Sequence, residues 1–177
     1  MKRTHVAAVA ALVVLAVPSL TGCWNGQGAT TTTQASMNSG NGVESRQGTI
    51  DIENATIVMG PEGSNSATLL MRLVNVGPEA DALTSITING KPASISMPGI
   101  AADSGADIGP GESVSFGYES DKWINAYEFD APVATYVPVE LGFANAGTAK
   151  LSLLTVPPAG YYAGIAPNPP TAAVPAS

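Results

Sequence analysis

The chain has 177 residues, of which 45% are hydrophobic and 12% charged, and its formal net charge is −7 at neutral pH. An acidic surface of this kind argues against binding to nucleic acid and against electrostatic attachment to anionic lipid. The sequence contains one histidine, His5, and one cysteine, Cys23, so no disulfide can form within the chain.

The first residues divide into a charged start, an apolar run and a short end of mostly small residues. Lys2 and Arg3 precede a continuous apolar run of twelve residues at 6–17, which is shorter than the roughly 20 residues that a membrane-spanning helix needs. The residues that end this region resemble a bacterial lipobox: Leu20, Thr21, Gly22 and Cys23. We predict a signal peptide at 1–22, cleavage before Cys23, and lipid on the cysteine sulfur and the new amino group. An ordinary secretory signal followed by an unmodified cysteine is the alternative.

Processing at this position changes the chemistry that is left to the mature chain. His5 leaves with the signal and lipid occupies the sulfur of Cys23, so no Ser-His-Asp or Cys-His arrangement remains, and the imidazole and thiolate ligands of most metal sites are lost. Loss of Lys2 and Arg3 leaves five basic and fourteen acidic residues, a net charge of −9. We therefore predict no enzyme activity, no metal and no cofactor, with the chain held on the extracytoplasmic side of the cell membrane by lipid on Cys23.

Composition divides the mature chain into three parts. The lipidated cysteine and a flexible tether occupy 23–47, because the Gly, Thr, Ser, Asn and Gln of this segment cannot bury enough apolar surface to offset their ordering entropy. Residues 157–177 contain six prolines in 21 positions and predict an extended, disordered tail rich in proline and alanine. The remaining segment, 48–156, has the length of one β-sandwich domain.

Alternating hydrophobic residues predict β-strands throughout this domain, as at 67–76. Asn89-Gly90 predicts a type I′ hairpin turn. The return strand is expected at 91–97, and Pro92 places it at a sheet edge because proline cannot donate to a strand ladder. We predict an all-β fold, an immunoglobulin-like (cupredoxin-like) antiparallel β-sandwich of about seven strands.

Three stretches of the domain share the pattern of one family. They are Leu-Leu-Met-Arg-Leu-Val-Asn-Val-Gly at 69–77 followed by Asp81-Ala82-Leu83, Ile-Gly-Pro-Gly-Glu-Ser-Val at 108–114, and Val-Pro-Val-Glu-Leu-Gly-Phe-Ala-Asn-Ala-Gly at 137–147. They resemble the periplasmic copper chaperones of the PCu(A)C type, and more closely their Lpq-type lipoprotein relatives in mycobacteria and other actinobacteria. The resemblance covers about 48–156 in patches and implies the fold of those chaperones.

The resemblance also implies a copper(I) site, which in that family uses two histidines and two methionines. A His-x-Met pair ahead of the penultimate strand supplies two of these ligands, and counting back from Phe143 places the pair at Trp123-Ile124-Asn125. Neither ligand type stands there, and processing removes the only histidine. We therefore predict the scaffold of this family without its copper site.

Three alternatives remain open beside that prediction. Thioether sulfur can select copper(I), so a site formed by Met59, Met71 and Met97 would preserve a copper role. Carboxylates beside aromatic residues are typical of glycan-active or glycan-binding sites, and four lie close together in the sequence: Glu119, Asp121, Glu128 and Asp130. Oxygen ligands for a weak calcium site occur in the loop at 100–112: Asp103, Asp107 and Glu112.

Two aromatic residues, Trp123 and Tyr127, form the predicted recognition surface, because aromatic anchors dominate the energetics of interfaces. Both lie among the carboxylates just named. The sequence as a whole predicts a membrane-anchored extracytoplasmic lipoprotein whose domain has a non-catalytic binding or interaction role at the cell envelope. Its partner is an unidentified envelope protein or ligand.

Overall fold

The computed structural model describes residues 42–99, 105–117 and 120–165, and these ranges contain eleven β-strands and one 3₁₀ turn. The predicted all-β sandwich is confirmed. The strands are β1 (Val43–Gln47), β2 (Ile50–Met59), β3 (Ser66–Asn75), β4 (Asp81–Ile88), β5 (Lys91–Pro92), β6 (Ser94–Ser96), β7 (Ala106–Ile108), β8 (Ser113–Phe116), β9 (Trp123–Tyr127), β10 (Tyr136–Phe143) and β11 (Gly147–Val156). The 3₁₀ turn covers Gly160–Tyr162.

The predicted signal peptide and lipobox lie outside the described residues, as do the tether as far as residue 41 and the last twelve residues of the tail. Across the three described ranges, no helix is long and apolar enough to cross a membrane. The structure therefore describes the folded domain and the short segments that flank it.

The strands form two layers that share one strand. The first sheet contains β1, β2, β3, β6, β8 and β9, and the second contains β4, β5, β7 and β10. β11 pairs antiparallel with β10 along most of its length, and its last residues, Thr155 and Val156, pair parallel with Ile57 and Val58 of β2. This parallel pair is a departure from the wholly antiparallel sandwich that the sequence predicts.

The core lies between the two sheets and follows the predicted alternation. Leu69, Met71 and Leu73 of β3 point inward and are buried, whereas Arg72 between them is exposed. The largest fully buried side chains come from both layers: Ile50, Ile52, Ile57, Leu69, Leu73, Leu83, Ile88, Ile108, Phe116, Ile124, Phe129 and Leu141. Burial of each such side chain contributes about 1.5–3 kcal/mol, so this core is the main source of the domain's stability.

The hairpin between β4 and β5 has the predicted turn. Asn89 and Gly90 both adopt positive φ, at 52° and 77°, as a type I′ turn requires. The turn brings Ile88 opposite Lys91, and β5 is the terminal strand of the second sheet, as Pro92 predicts.

The return strand itself is shorter than the predicted 91–97. Pro92 has no N–H with which to continue the ladder, and after Ala93, whose N–H donates to Ile86 O at 3.0 Å, the chain crosses to the first sheet. There it becomes β6, which pairs with β9. Such crossings and short strands raise the number of strands from the expected seven to eleven among the described residues.

Both boundaries of the folded domain extend further than composition predicts. β1 lies within the segment predicted as tether. At the other end, residues 157–165, which we name the C-terminal strap, fold back on the first sheet, and Ile165 is buried there against Val58, Leu70 and Val156. The strap thus belongs to the domain, although its prolines predict a disordered tail.

Candidate functional site

Asn75 is a buried residue within the first stretch that carries the family resemblance. Its side-chain amide donates to the carbonyl oxygens of Glu79 at 2.7 Å and Ile108 at 3.1 Å, and its Oδ1 accepts the N–H of Gly77 at 2.9 Å. The side chain therefore joins the turn after β3 to the end of β7. Its role is to hold loops in place.

Asp81, in the same stretch, holds the turn between β10 and β11 in place in a similar way. Its Oδ1 accepts N–H bonds from Ala82 at 2.7 Å and Asn145 at 2.8 Å, and its Oδ2 accepts the N–H of Ala146 at 2.8 Å. Burial acts to raise the pKa of Asp81, but the backbone donors, led by Asn145, stabilise the carboxylate and leave the pKa below its ordinary value. The residues that produce the resemblance therefore shape the scaffold.

The predicted recognition residues Trp123 and Tyr127 lie on one face of β9. Ile124 and Ala126 point into the core, so the intervening residues point to the outer face of the first sheet, where Trp123 and Tyr127 are about 13 Å apart along the strand. Trp123 is half-buried against the apolar cluster that the strap covers, whereas Tyr127 is 42% exposed. Of the two, Tyr127 offers the more open ring.

Asn125 lies between these aromatic residues and is buried. Its Oδ1 accepts a hydrogen bond from Thr68 Oγ1 at 2.8 Å, and Thr68 is its cross-strand neighbour on β3. At the position where the resemblance places a His-x-Met pair, the chain therefore has a packed indole, Trp123, and a hydrogen-bonded amide.

The three methionines of the copper alternative are dispersed through the core. Met59 and Met71 are buried, and Met97 is half-buried against the same core. Met59 pairs with Ala67, which precedes Met71 by four residues on β3, so the backbone positions of Met59 and Met71 are about 13 Å apart along the sheet. Their thioethers fill space between the layers, which is the commonest use of methionine.

Two carboxylates of the glycan alternative, Asp121 and Glu128, lie beyond opposite ends of β9. That strand spans about 13 Å, more than the roughly 5–9.5 Å between paired catalytic carboxylates. Glu128 and Asp130 are separated by one residue, and both are exposed. Glu119 lies outside the described residues, as does Asp103 of the calcium alternative. Within the described ranges, no group of three or more His, Cys, Asp or Glu residues could hold a metal ion.

A cavity that the sequence does not predict lies on the outer face of the first sheet, under two tyrosines of the strap. Its volume is about 370 Å³. Its lining combines polar and aromatic side chains over an apolar floor: Asn54, Thr56, Leu70, Arg72, Ser115, Tyr161 and Tyr162, with Gly42, Met71 and Phe116. We name it the tyrosine cavity.

Among the described residues that line the tyrosine cavity, Arg72 provides the only charge. It lies opposite Glu53 on β2 and Ser115 on β8. Its Nη1 is 3.5 Å from a Glu53 oxygen, and its Nη2 donates to Ser113 Oγ at 3.1 Å. Both charged side chains are partly exposed, so the pair contributes at most about 1 kcal/mol to stability.

The two tyrosines form the outer rim of the cavity. The ring centroids of Tyr161 and Tyr162 are 5.4 Å apart with an interplanar angle of 81°, an edge-to-face arrangement. Tyr162 is half-buried against the cluster around Leu70, and Tyr161 is 72% exposed. In the sequence, Tyr161 and Tyr162 stand out as the large aromatic residues of the segment 157–177. No sequence pattern indicates that they lie near Arg72.

Comparisons with known proteins bear on the fold. No protein-family model matches the chain, and no curated protein matches it. Among solved structures, the copper-bound PCuAC domain from PmoF2 is similar with a TM-score of 0.58 and 20% identity, over 66% of this chain and 99% of that one. The apo PmoF2 PCuAC domain has a TM-score of 0.59 and 20% identity, over 67% and 98%.

The apo PCuAC domain from PmoF1 is similar in the same way, with a TM-score of 0.58 and 16% identity over 66% of this chain and 100% of that one. These similarities assign the described domain to the PCuAC type of β-sandwich fold. The fold that the sequence resemblance implies is thereby confirmed, and at these identities the similarity concerns the fold alone.

Proposed function

We propose that the protein is an extracytoplasmic lipoprotein, anchored by lipid on Cys23, whose β-sandwich domain binds a ligand at the cell envelope and catalyses no reaction. The anchor rests on the lipobox sequence at 20–23, whereas the observation that carries the ligand-binding part of this proposal is the tyrosine cavity. Its volume of about 370 Å³ falls within the roughly 300–1,000 Å³ of ligand sites. Amide, hydroxyl, aromatic and guanidinium groups line it, and these groups hold ligands by hydrogen bonds and packing.

The position of the cavity supports the same proposal. Gly42, where the chain from Cys23 enters the domain, is one of the lining residues. The cavity therefore lies beside the point at which the chain enters the domain. The predicted aromatic surface at Trp123 and Tyr127 lies on the same outer face of the first sheet, so a larger ligand would reach Tyr127 as well.

Site-specific photo-crosslinking in intact cells tests this proposal. A benzoylphenylalanine at position 161 should form adducts with envelope material, whereas the same residue at position 136 should not. Tyr136 is the matched control, because it is 64% exposed and does not line the cavity. Equal labelling at the two positions, or none at position 161, would contradict a binding role for the cavity.

A second candidate function is copper(I) binding, favoured by the likeness to a copper-bound PCuAC domain. The candidate ligands are the thioethers of Met59, Met71 and Met97, since thioether sulfur suits copper(I). Because the backbone positions of Met59 and Met71 are about 13 Å apart in the core, a shared site would require the core to rearrange. Anaerobic titration of the full chain against a chromogenic copper(I) chelator distinguishes the candidates. Tight stoichiometric binding that is lost when all three methionines become leucine, a change that conserves volume, would favour copper, and no competition with the chelator would reject it.

A further inference from the structure

We propose that the tyrosine cavity binds a neutral saccharide. This inference rests on the proposed binding function and adds the chemical class of the ligand. Three properties of the cavity carry it: a wall that contains both hydrogen-bond donors and acceptors, a cation whose charge is compensated, and a corner formed by two aromatic rings.

The polar wall of the cavity contains both hydrogen-bond donors and hydrogen-bond acceptors. Among the lining residues, the Arg72 guanidinium donates through its N–H groups, whereas the Ser115 hydroxyl and the exposed Asn54 amide can each donate and accept. The Glu53 carboxylate, which lies beside Arg72 but outside the lining, accepts. Sugar hydroxyls likewise donate and accept at adjacent carbons. A wall of mixed polarity therefore matches a polyol better than it matches a ligand that only accepts hydrogen bonds.

Charge compensation argues for a neutral ligand. The guanidinium of Arg72 has Glu53 at 3.5 Å, so the carboxylate offsets the charge that would otherwise attract an anion. The chain as a whole is acidic, with a formal net charge of −7, which adds a repulsion that an anionic ligand would have to overcome. Phosphate and uronate ligands are disfavoured for both reasons.

The aromatic rim supplies the apolar contact. Tyr161 and Tyr162 meet at 81°, so their rings form a corner above the Leu70 side chain. A tyrosine ring has an apolar face and a polar tip, and a pyranose has an apolar C–H face with hydroxyls around its edge. The exposed ring of Tyr161 can therefore cover the face of a sugar whose hydroxyls reach Arg72 and Ser115.

The test is calorimetric titration of the full chain, held in a sugar-free zwitterionic detergent, with maltotriose, mannotriose and chitotriose. We expect at least one of these neutral probes to bind, and Tyr161→Ala to weaken that binding at least tenfold while Tyr136→Ala leaves it unchanged. Glucuronate and inorganic phosphate are the charged comparators and should bind more weakly. Glu53→Gln removes the compensating charge and should narrow the preference for the neutral probe over glucuronate.

The inference is overturned if none of the three probes binds, if a charged comparator binds more tightly, or if binding does not depend on Tyr161. Its failure can be told apart from failure of the proposed function. Adducts at position 161 without saccharide binding would retain a binding role for the cavity and reject the ligand class. Absence of both would reject both.

Discussion

Asp81 shows how a buried carboxylate stabilises this fold at the level of one residue. Its pKa is lowered, so its contribution to stability is present above the ordinary carboxyl pKa of about 3.9 and is lost as the pH falls through the folded-state value. Asp81→Asn should reduce the free energy of unfolding at pH 7 by about 1–3 kcal/mol, because backbone donors of the Asn145 hairpin lose an acceptor. Urea denaturation measures the difference.

The same experiment at lower pH separates charge from packing. The difference in the free energy of unfolding between wild type and Asp81→Asn should become smaller below about pH 4, where the carboxylate is protonated in the unfolded chain. Asp107→Asn is the control, because Asp107 is exposed on β7, and its effect should be within about 0.5 kcal/mol. A gap that stays constant from pH 7 to pH 3 would contradict the charged role of Asp81.

Ala134 stores strain that a single substitution can release. Its φ is 58°, in the left-handed region that costs a residue with a Cβ about 1–2 kcal/mol, and its N–H donates to Thr155 O at 2.8 Å. Ala134→Gly should raise the free energy of unfolding by about 0.5–1 kcal/mol, since the gain exceeds the added entropy of glycine in the unfolded chain. Thermal or urea denaturation shows whether the substitution raises or lowers the free energy of unfolding.

Ala163→Gly is the matched control for this change. Ala163 has φ −63°, so glycine relieves no strain there and only increases the entropy of the unfolded chain. It should lower stability by about 0.4–1 kcal/mol. If both substitutions lower stability equally, the strain assigned to Ala134 is not present in solution.

At the scale of elements, the C-terminal strap is held mainly by Ile165. That side chain completes an apolar cluster with Val58, Leu70 and Val156 on the outer face of the first sheet. Ile165→Asp should detach the strap and lower the free energy of unfolding by up to about 3 kcal/mol. Chymotrypsin should then cut faster after Tyr161 and Tyr162, and the rate of that cleavage is the measurement.

Ala163→Asp introduces the same charge into the strap at an exposed position. It should leave both stability and the rate of cleavage near the wild-type values. Rapid cleavage in the control as well would mean that added charge, and not loss of the Ile165 contact, releases the strap.

Elements that depend on local chemistry are the ones that could be predicted from the sequence. Asn89 and Gly90 determine their turn through their own φ angles, and Pro92 ends its ladder because it has no N–H. The crossing to β6 and the parallel pairing of β11 with β2 depend on partners distant in sequence. No local pattern encodes those pairings, so the predicted sandwich is right in class and incomplete in connectivity.

The candidate site could be predicted less well than the fold for a similar reason. Arg72 and Tyr161 are widely separated in sequence and line the same cavity only because the strap returns to the first sheet. Proline-rich composition predicts disorder when it is considered alone, and one apolar residue, Ile165, reverses that outcome by packing. A site assembled by a terminal segment therefore leaves little trace in the periodicity of the chain.

At the scale of the whole molecule, a PCuAC-type scaffold is combined with an outer face of unexpected chemistry. The residues that produce the sequence resemblance, such as Asn75 and Asp81, act on loops. The position at which the sequence resemblance places a His-x-Met pair is occupied by Trp123 and Asn125, which are packed and hydrogen-bonded, and the tyrosine cavity lies under the strap. In general, one scaffold can support several binding functions through different surface residues.

Attachment of the whole molecule should depend on Cys23 alone. Without Lys2 and Arg3 the chain has five basic and fourteen acidic residues, so anionic lipid repels it and supplies no second anchoring signal. Each buried methylene of an acyl chain contributes about 0.8 kcal/mol, and two or more chains hold firmly where one does not. Cys23→Ser, made with an ordinary cleavable secretory signal in place of residues 1–22 so that the signal is still removed, should therefore move the protein from the membrane fraction to the soluble fraction almost completely.

Fractionation of cells that express the full chain measures this directly. Thr31→Ser, a change of similar size in the predicted tether, is the control and should remain with the membrane. If lipid on Cys23 makes the attachment, a wash at high salt should not release the wild type, because salt screens surface charge and leaves buried acyl chains in place. Retention of Cys23→Ser in the membrane fraction would show that another part of the chain makes the attachment, and release of the wild type by salt would show that this attachment is electrostatic.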